Sequence, residues 1–278
     1  MTRIIIDSTC DLPQAAKART IVVPLTVLFG DREYIDGVTI DHKKFYEMLV
    51  ESDVLPTTSQ ATPDGFLTAY QQVREAGDEA VVITIASNLS GTYQSAVIAA
   101  EDYPEIQIVD SRTAAIGAGI LAEYALALAD QGLDAEHIAL KLLQAREKIH
   151  LVAMLDTLEY LKKGGRISAA TAIAGSLLNI KPVIGVEKGE ILTLGKARGS
   201  KQGNNLLVKE IEKAGGVDFS MPLLLGYTGL SDALLQKYIT DSSYICEGNV
   251  DEMHSVPICS VIGTHAGPGA VAVAFFQP

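Results

Sequence analysis

Through its first half the chain repeats one pattern: a short apolar run, a polar loop, then an amphipathic stretch. Ile4-Ile5-Ile6 is continuous and β-branched, and it closes on Asp7-Ser8-Thr9-Cys10-Asp11-Leu12-Pro13, so a buried strand is expected to end in a polar loop before a helix. Residues of that loop serve either as helix caps or as a wall of a ligand crevice, which lies at strand C-terminal ends in α/β sheets. Ile21 to Phe29 reads as a second strand, Gly30 to Glu33 as a turn, and the residues around Tyr34 as a short third strand. Asp41 opens a helix to about Ser52 with Phe45, Met48 and Leu49 on one face. Leu55 to Pro63 reads as a hydroxyl-rich loop, and Pro63-Asp64 starts the next helix. Ala80 to Ala86 and Ile106 to Val109 are further strands, followed by helices over 93–101 and 113–131, and a last amphipathic helix covers 134–148. This alternation predicts a doubly wound, mainly parallel sheet over residues 1–149.

The grammar changes near Ile149. An apolar strand runs to Leu155, and a helix from Leu158 ends in Lys162-Lys163-Gly164-Gly165-Arg166. An Ala-rich helix to Leu178 follows, then strands at 180–186, 191–196 and 223–226, the first two joined by a Glu187-Lys188-Gly189-Glu190 turn. Near the C-terminus, Val256 to Ile262 and Ala270 to Phe276 flank Gly263-Thr264-His265-Ala266-Gly267-Pro268-Gly269, which reads as strand, loop, strand. Residues 150–278 are therefore expected to form a second, smaller α/β domain with a mixed sheet.

Composition narrows the function. Hydrophobic residues are 48% of the 278, but Trp is absent and aromatics are 6%, so the core is aliphatic and suits a long aliphatic pocket. The net charge of -12 argues against a nucleic-acid or anionic-membrane partner. The longest weakly polar stretch, Ala114 to Ala129, carries Glu123 and falls short of the ~20 residues of a bilayer span. Cys10, Cys246 and Cys259 are odd in number and widely spaced, which suits reduced thiols in a cytoplasmic protein.

Several motifs carry candidate chemistry. Thr57, Thr58 and Ser59 offer more donors than one helix N-terminus needs, and an anion would account for the surplus. Ser87 to Thr92 repeats a polar loop before a helix, where an anion near Ser90 would meet free N–H groups. The glycines around His265 suit either a held imidazole or an exposed hairpin. Lys162, Lys163 and Arg166 form one basic cluster, and Lys196, Arg198 and Lys201 a second; each is equally readable as solvated charge. Gly117-x-Gly119-x-x-Ala122 imitates a dinucleotide fingerprint but sits inside a helix, where small-residue packing explains it better. No metal-ligand spacing joins the five histidines, and neither G-x-S-x-G nor a Walker A loop is present.

The same stretches carry a resemblance. Ile4-Ile5-Ile6-Asp7-Ser8, Thr58-Ser59-Gln60-x-x-Pro63, Leu89-Ser90-Gly91-Thr92-Tyr93-Gln94-Ser95-Ala96, Val109-Asp110-Ser111, Leu161 to Ile167, Lys181-Pro182 with Lys196-x-Arg198, and His265-x-Gly267-Pro268-Gly269-Ala270 together resemble the DegV family of bacterial fatty-acid-binding proteins. The resemblance implies two α/β domains, a buried long-chain fatty acid and no cofactor. It places Thr58 and Ser90 on the carboxylate with His265 beside them, and Ser59, Gly91, Thr92 and Gly267 in the surrounding loops. It also implies a partner, a separate fatty acid kinase that makes an acyl phosphate, with Arg166 and Arg198 serving the partner or its phosphoryl group. The alternative is a self-sufficient acyl-group enzyme, a serine-type hydrolase or a kinase. Ala61 and Ala266 stand where the family commonly has Pro and a hydroxyl residue.

Overall fold

The structure is a computed structural model, and it describes residues 1–167, 180–242 and 254–278. Four parallel strands, β1 (Thr2–Asp7), β2 (Ile21–Val23), β6 (Glu79–Thr84) and β7 (Ile106–Asp110), form the first sheet in the order β2-β1-β6-β7. Successive strand residues point to opposite faces. Ile4 and Ile6 accordingly join a core with α5 (Ala115–Asp130) and α6 (Ala135–Ala145), while Ile5 joins a second core with α2 (His42–Glu51), α3 (Pro63–Glu75) and α4 (Thr92–Ala99). The α/β architecture with a doubly wound parallel sheet is thus present.

The reading of Ile21 to Phe29 as one strand is corrected. Pro24 has no N–H to give to a ladder, and the chain leaves the parallel sheet there. It re-enters as β3 (Thr26–Phe29) of a separate antiparallel sheet with β4 (Arg32–Ile35) and β5 (Thr57–Ser59). The hydroxyl-rich segment is thereby partly strand: Thr58 pairs with Val27. Asp41 and Thr62 cap their helices, accepting from the Lys44 and Gly65 N–H groups. Asp7 and Ser8 cap no helix: Asp7 accepts from Thr9 and from the Ile85 N–H, and Ser8 Oγ accepts from the Leu25 N–H, tying loops together.

Six strands form the other sheet, in the order β10 (Glu190–Arg198), β9 (Ile180–Glu187), β8 (Ile149–Met154), β13 (Val271–Phe276), β11 (Leu224–Tyr227) and β12 (His254–Pro257). Only the β11 and β12 pair is parallel, so the sheet is mixed. One face, with Val152, Met154, Val273 and Phe275, packs on α8 (Gly199–Lys213) and α9 (Ala233–Asp241). The opposite face, with Leu151, Ala153, Ala272 and Ala274, shares a core with α5 and with β1. Helix α5 is therefore covered by a sheet on each side, and its first eight residues are all buried. The Ala-rich segment ending at Leu178 lies outside the described residues, as does Cys246; Cys10 and Cys259 are free thiols.

The glycines within α5 serve this close packing. A Cβ on Gly119 would overlap the Asp11 carbonyl oxygen, and one on Gly117 would overlap the Thr113 side chain. Backbone cannot yield as a flexible side chain does, so Gly119→Ala should lower stability by about 1–3 kcal/mol. Urea denaturation measures it; an unchanged midpoint would show that α5 is not confined as described.

Candidate functional site

A cavity of about 350 Å³ opens where α5 begins, in the usual size range of small-molecule sites. Its deep walls are aliphatic: Leu151, Ala153 and Leu155 from β8 and its exit, Ile184, Val186 and Ile191 from the β9–β10 hairpin, and Ala270 and Ala272 from β13 and its approach. Ala114 and Ala115 contribute from the start of α5, and Gly226 from β11. Alanines and the glycine leave the width. A Cβ on Gly226 would approach Ile258 Cδ1 to 2.7 Å and Ile116 Cδ1 to 3.3 Å.

The last piece of wall corrects the sequence reading. The run Val256 to Ile262 is not a strand leading into a loop: β12 stops at Pro257, and Ser260–Ala266 is helix α10, capped by the Cys259 sulfur accepting from the Ile262 N–H. Val261, Ile262, His265 and Ala266 of this helix line the cavity, and His265 lies in its last turn. Gly267 ends the helix at φ 71°, a left-handed conformation that glycine adopts freely, and a Cβ there would overlap the Tyr160 ring.

The polar lining, Tyr227 and Thr228 apart, is made of separate hydrogen-bonded pairs. Thr58 Oγ1 lies 2.9 Å from His265 Nε2 across 207 residues of sequence. Ser59, Gln60, Ser90, Gly91 and Arg166 line the same cavity. Ser90 Oγ lies 2.9 Å from Thr92 Oγ1 and accepts from the N–H of Thr92, the first residue of α4, at 3.3 Å. Thr92 is buried behind it and accepts from the Ala61 N–H. Arg166 is exposed at the rim, where its Nε donates to the Leu89 carbonyl and its Nη1 to the Gly164 carbonyl. Arg198 does not line the cavity; it is exposed at the end of β10, its N–H bonded to Gln202. Lys162 and Lys163 are exposed in the last turn of α7 (Glu159–Lys163).

Sequence reasoning missed Gln60, Gly164 and Tyr160. Gln60 Nε2 donates to Ser95 Oγ at 2.8 Å, and its amide fills the space a Gly91 side chain would need. Gly164 packs directly on the His265 ring, leaving no room for a Cβ beside Nδ1. Nothing in the local pattern marks these contacts; each joins segments distant in sequence. His265 Nδ1 is buried and has no hydrogen-bond partner among the described residues.

Burial, seconded by the Arg166 charge, lowers the His265 pKa from 6.5 to about 4. The ring is neutral at pH 7. One tautomer, with Nε2–H donating to Thr58 Oγ1, leaves the Thr58 hydroxyl proton free to serve another acceptor in the cavity. Among the described residues no helix is long and apolar enough to cross a membrane, and no group of three His, Cys, Asp or Glu residues is placed to hold a metal ion.

Comparison with known proteins agrees with this architecture. Residues 1–277 match the model of a family described as an uncharacterised protein, DegV family. A DegV domain-containing protein of Caldanaerobacter subterraneus is 34% identical over 98% of this chain and 97% of its own. Among solved structures, a DegV family protein from Thermus thermophilus, described by its fatty acid binding, is 30% identical with a TM-score of 0.88, covering 100% of this chain and 99% of that one. A stearic acid-binding protein from Eubacterium ventriosum is 26% identical, also with a TM-score of 0.88, over 100% and 98%. The chain belongs to the DegV family.

The buried neutral imidazole has a measurable signature. As pH falls below 6.5 the unfolded chain takes up a proton that the folded ring refuses until about 4, so stability present above 6.5 is lost across that window, by about 3 kcal/mol at most. Urea midpoints at pH 7 and pH 4.5 should converge for wild type and His265→Gln as the wild type weakens. Parallel loss in the two proteins would contradict the buried, neutral ring.

Proposed function

We propose that this chain binds a long-chain fatty acid, with its carboxylate on the hydroxyls of Thr58 and Ser90 beside His265, and presents it to a separate fatty acid kinase. The observation that carries the reading is a single cavity that joins aliphatic walls to a polar lining with the Thr58–His265 pair and the Ser90 hydroxyl. The fatty-acid-binding relatives from Thermus thermophilus and Eubacterium ventriosum support the ligand class. Burying a C16 to C18 tail at ~0.8 kcal/mol per methylene gives on the order of 12 kcal/mol before ordering costs, so the tail dominates affinity. The head group orients. Thr58 donates its hydroxyl proton while His265 Nε2–H fills its lone pair.

In this reading residues 1–149 provide the head-group hydroxyls, and residues 150–278 provide His265, the basic groups and most of the tail wall. In the same reading the site works in the cytoplasm. Ser59, Gly91, Thr92 and Gly267 shape the polar end without contacting the carboxylate. Arg166, and Arg198 on the resemblance alone, serve the kinase or the transferring phosphoryl group, because a guanidinium grips phosphate at two points.

A self-sufficient hydrolase is the weaker reading. Ser90 is bonded to Thr92 rather than to His265, and among the described residues no carboxylate meets His265 Nδ1, so a nucleophile–base–acid relay is not assembled.

Native mass spectrometry of protein purified from a bacterial host should show a retained fatty acid. Thr58→Val and Ser90→Ala should each weaken retention by roughly 1.5 to 3 kcal/mol, the worth of a charge-assisted bond. Full occupancy in both variants would remove the carboxylate assignment. Arg166→Ala should keep its lipid and lose kinase-dependent phosphorylation; loss of lipid with normal phosphorylation of what remains would return Arg166 to the pocket.

A further inference from the structure

Helix α10 has only seven residues, too few to hold its own position, so its placement is imposed by its neighbours. Two sides are set by close packing. Gly263 rests on Phe45 and Tyr46 of α2, where a Cβ would come within 2.8 Å of Phe45 Cε1, and the His265 ring rests on Gly164.

Two buried carboxylates meet the helix at its start. Asp11 Oδ1 accepts from the Cys259 N–H at 2.9 Å, and Asp36 Oδ1 accepts from the Ser260 N–H at 3.1 Å. Asp11 is 3% exposed and Asp36 4%, and the second oxygen of each is buried with no partner among the described residues. Lys17 lines the same cleft but forms no ion pair among the described residues. Burial pushes both carboxyls up from the usual range, Asp11 the further, against the opposing Lys17 charge and, at Asp36, the Ser8 and Ser260 hydroxyls. A buried carboxyl with no ion-pair partner is unfavourable for stability, so stability alone does not account for the pair.

We infer that Asp11 and Asp36 are positioning residues: by fixing the N-terminal end of α10 they set the register of His265, at its other end, against Thr58. This rests on the carboxylate reading above and deepens it. Asp11 follows β1 and Asp36 follows β4, so the first half of the chain holds both ends of α10, at Cys259 and Ser260 and again at Thr58.

The test compares binding of hexadecanoic acid and of hexadecanol to delipidated protein, alongside the His265 imidazole resonances by NMR. Wild type should prefer the acid by about tenfold or more. Asp11→Ala and Asp36→Ala should cut that preference severalfold, leave hexadecanol binding near wild type and move the His265 resonances. Asp11→Asn and Asp36→Asn, which keep an acceptor oxygen, should restore both. Should the Ala variants not fold, Ser260→Pro removes the donor that Asp36 accepts from while leaving Asp36 in place; proline suits the first helical position, and Cys259 is already extended. An unshifted imidazole, or equal loss of acid and alcohol binding, overturns the inference. Absence of acid preference in wild type instead defeats the carboxylate reading, and the resonances still decide whether the aspartates position the ring.

Discussion

The architecture depends on one helix having apolar partners on both sides. Because α5 is covered by the parallel sheet on one side and by the mixed sheet on the other, neither sheet completes its core alone. The helix meets that demand with small residues, from Gly117 and Gly119 to Ala122 and Ala125, which let backbone approach backbone. The mixed sheet presents alanines to the same side. At Ala114 and Ala115 the helix begins, and there the space between layers becomes a cavity with walls already apolar. An aliphatic cleft is thus a product of how the two sheets share a helix.

The polar end is built from four segments far apart in sequence: β5, the loop before α4, the residues after α7, and α10. Their union is narrow. Gly164 against the imidazole, Gly267 against Tyr160 and Gly91 against Gln60 are contacts that any side chain at the glycine would prevent. Gly164 covers the Nδ1 side of the imidazole, and this partial burial, seconded by the Arg166 charge, keeps the ring neutral.

Much of the fold was legible in the sequence, because strand alternation and helix periodicity are local signals. The helices capped by Asp41 and Thr62 and the small-residue reading of Gly117 and Gly119 followed from them. Two misreadings share a cause. Ile21 to Phe29 and Val256 to Ile262 are continuous apolar runs, which periodicity alone does not assign; Pro24 divides the first, and the second changes to helix after Pro257 under an unusual cysteine cap. The site was legible as motifs but not as geometry. Thr58 and His265 were singled out separately, and their contact, like the roles of Gly164, Gln60, Asp11 and Asp36, exists only once the chain has closed.

The central claim is that the carboxylate sits at the polar end and the tail in the aliphatic depth. A crystal structure of the protein with bound hexadecanoic acid tests it most directly. The account predicts carboxylate oxygens within hydrogen-bonding distance of the Thr58 and Ser90 hydroxyls, with the chain running between Ala153, Val186 and Ala272. A fatty acid bound in the reverse direction, or one lying outside this cavity, would contradict it.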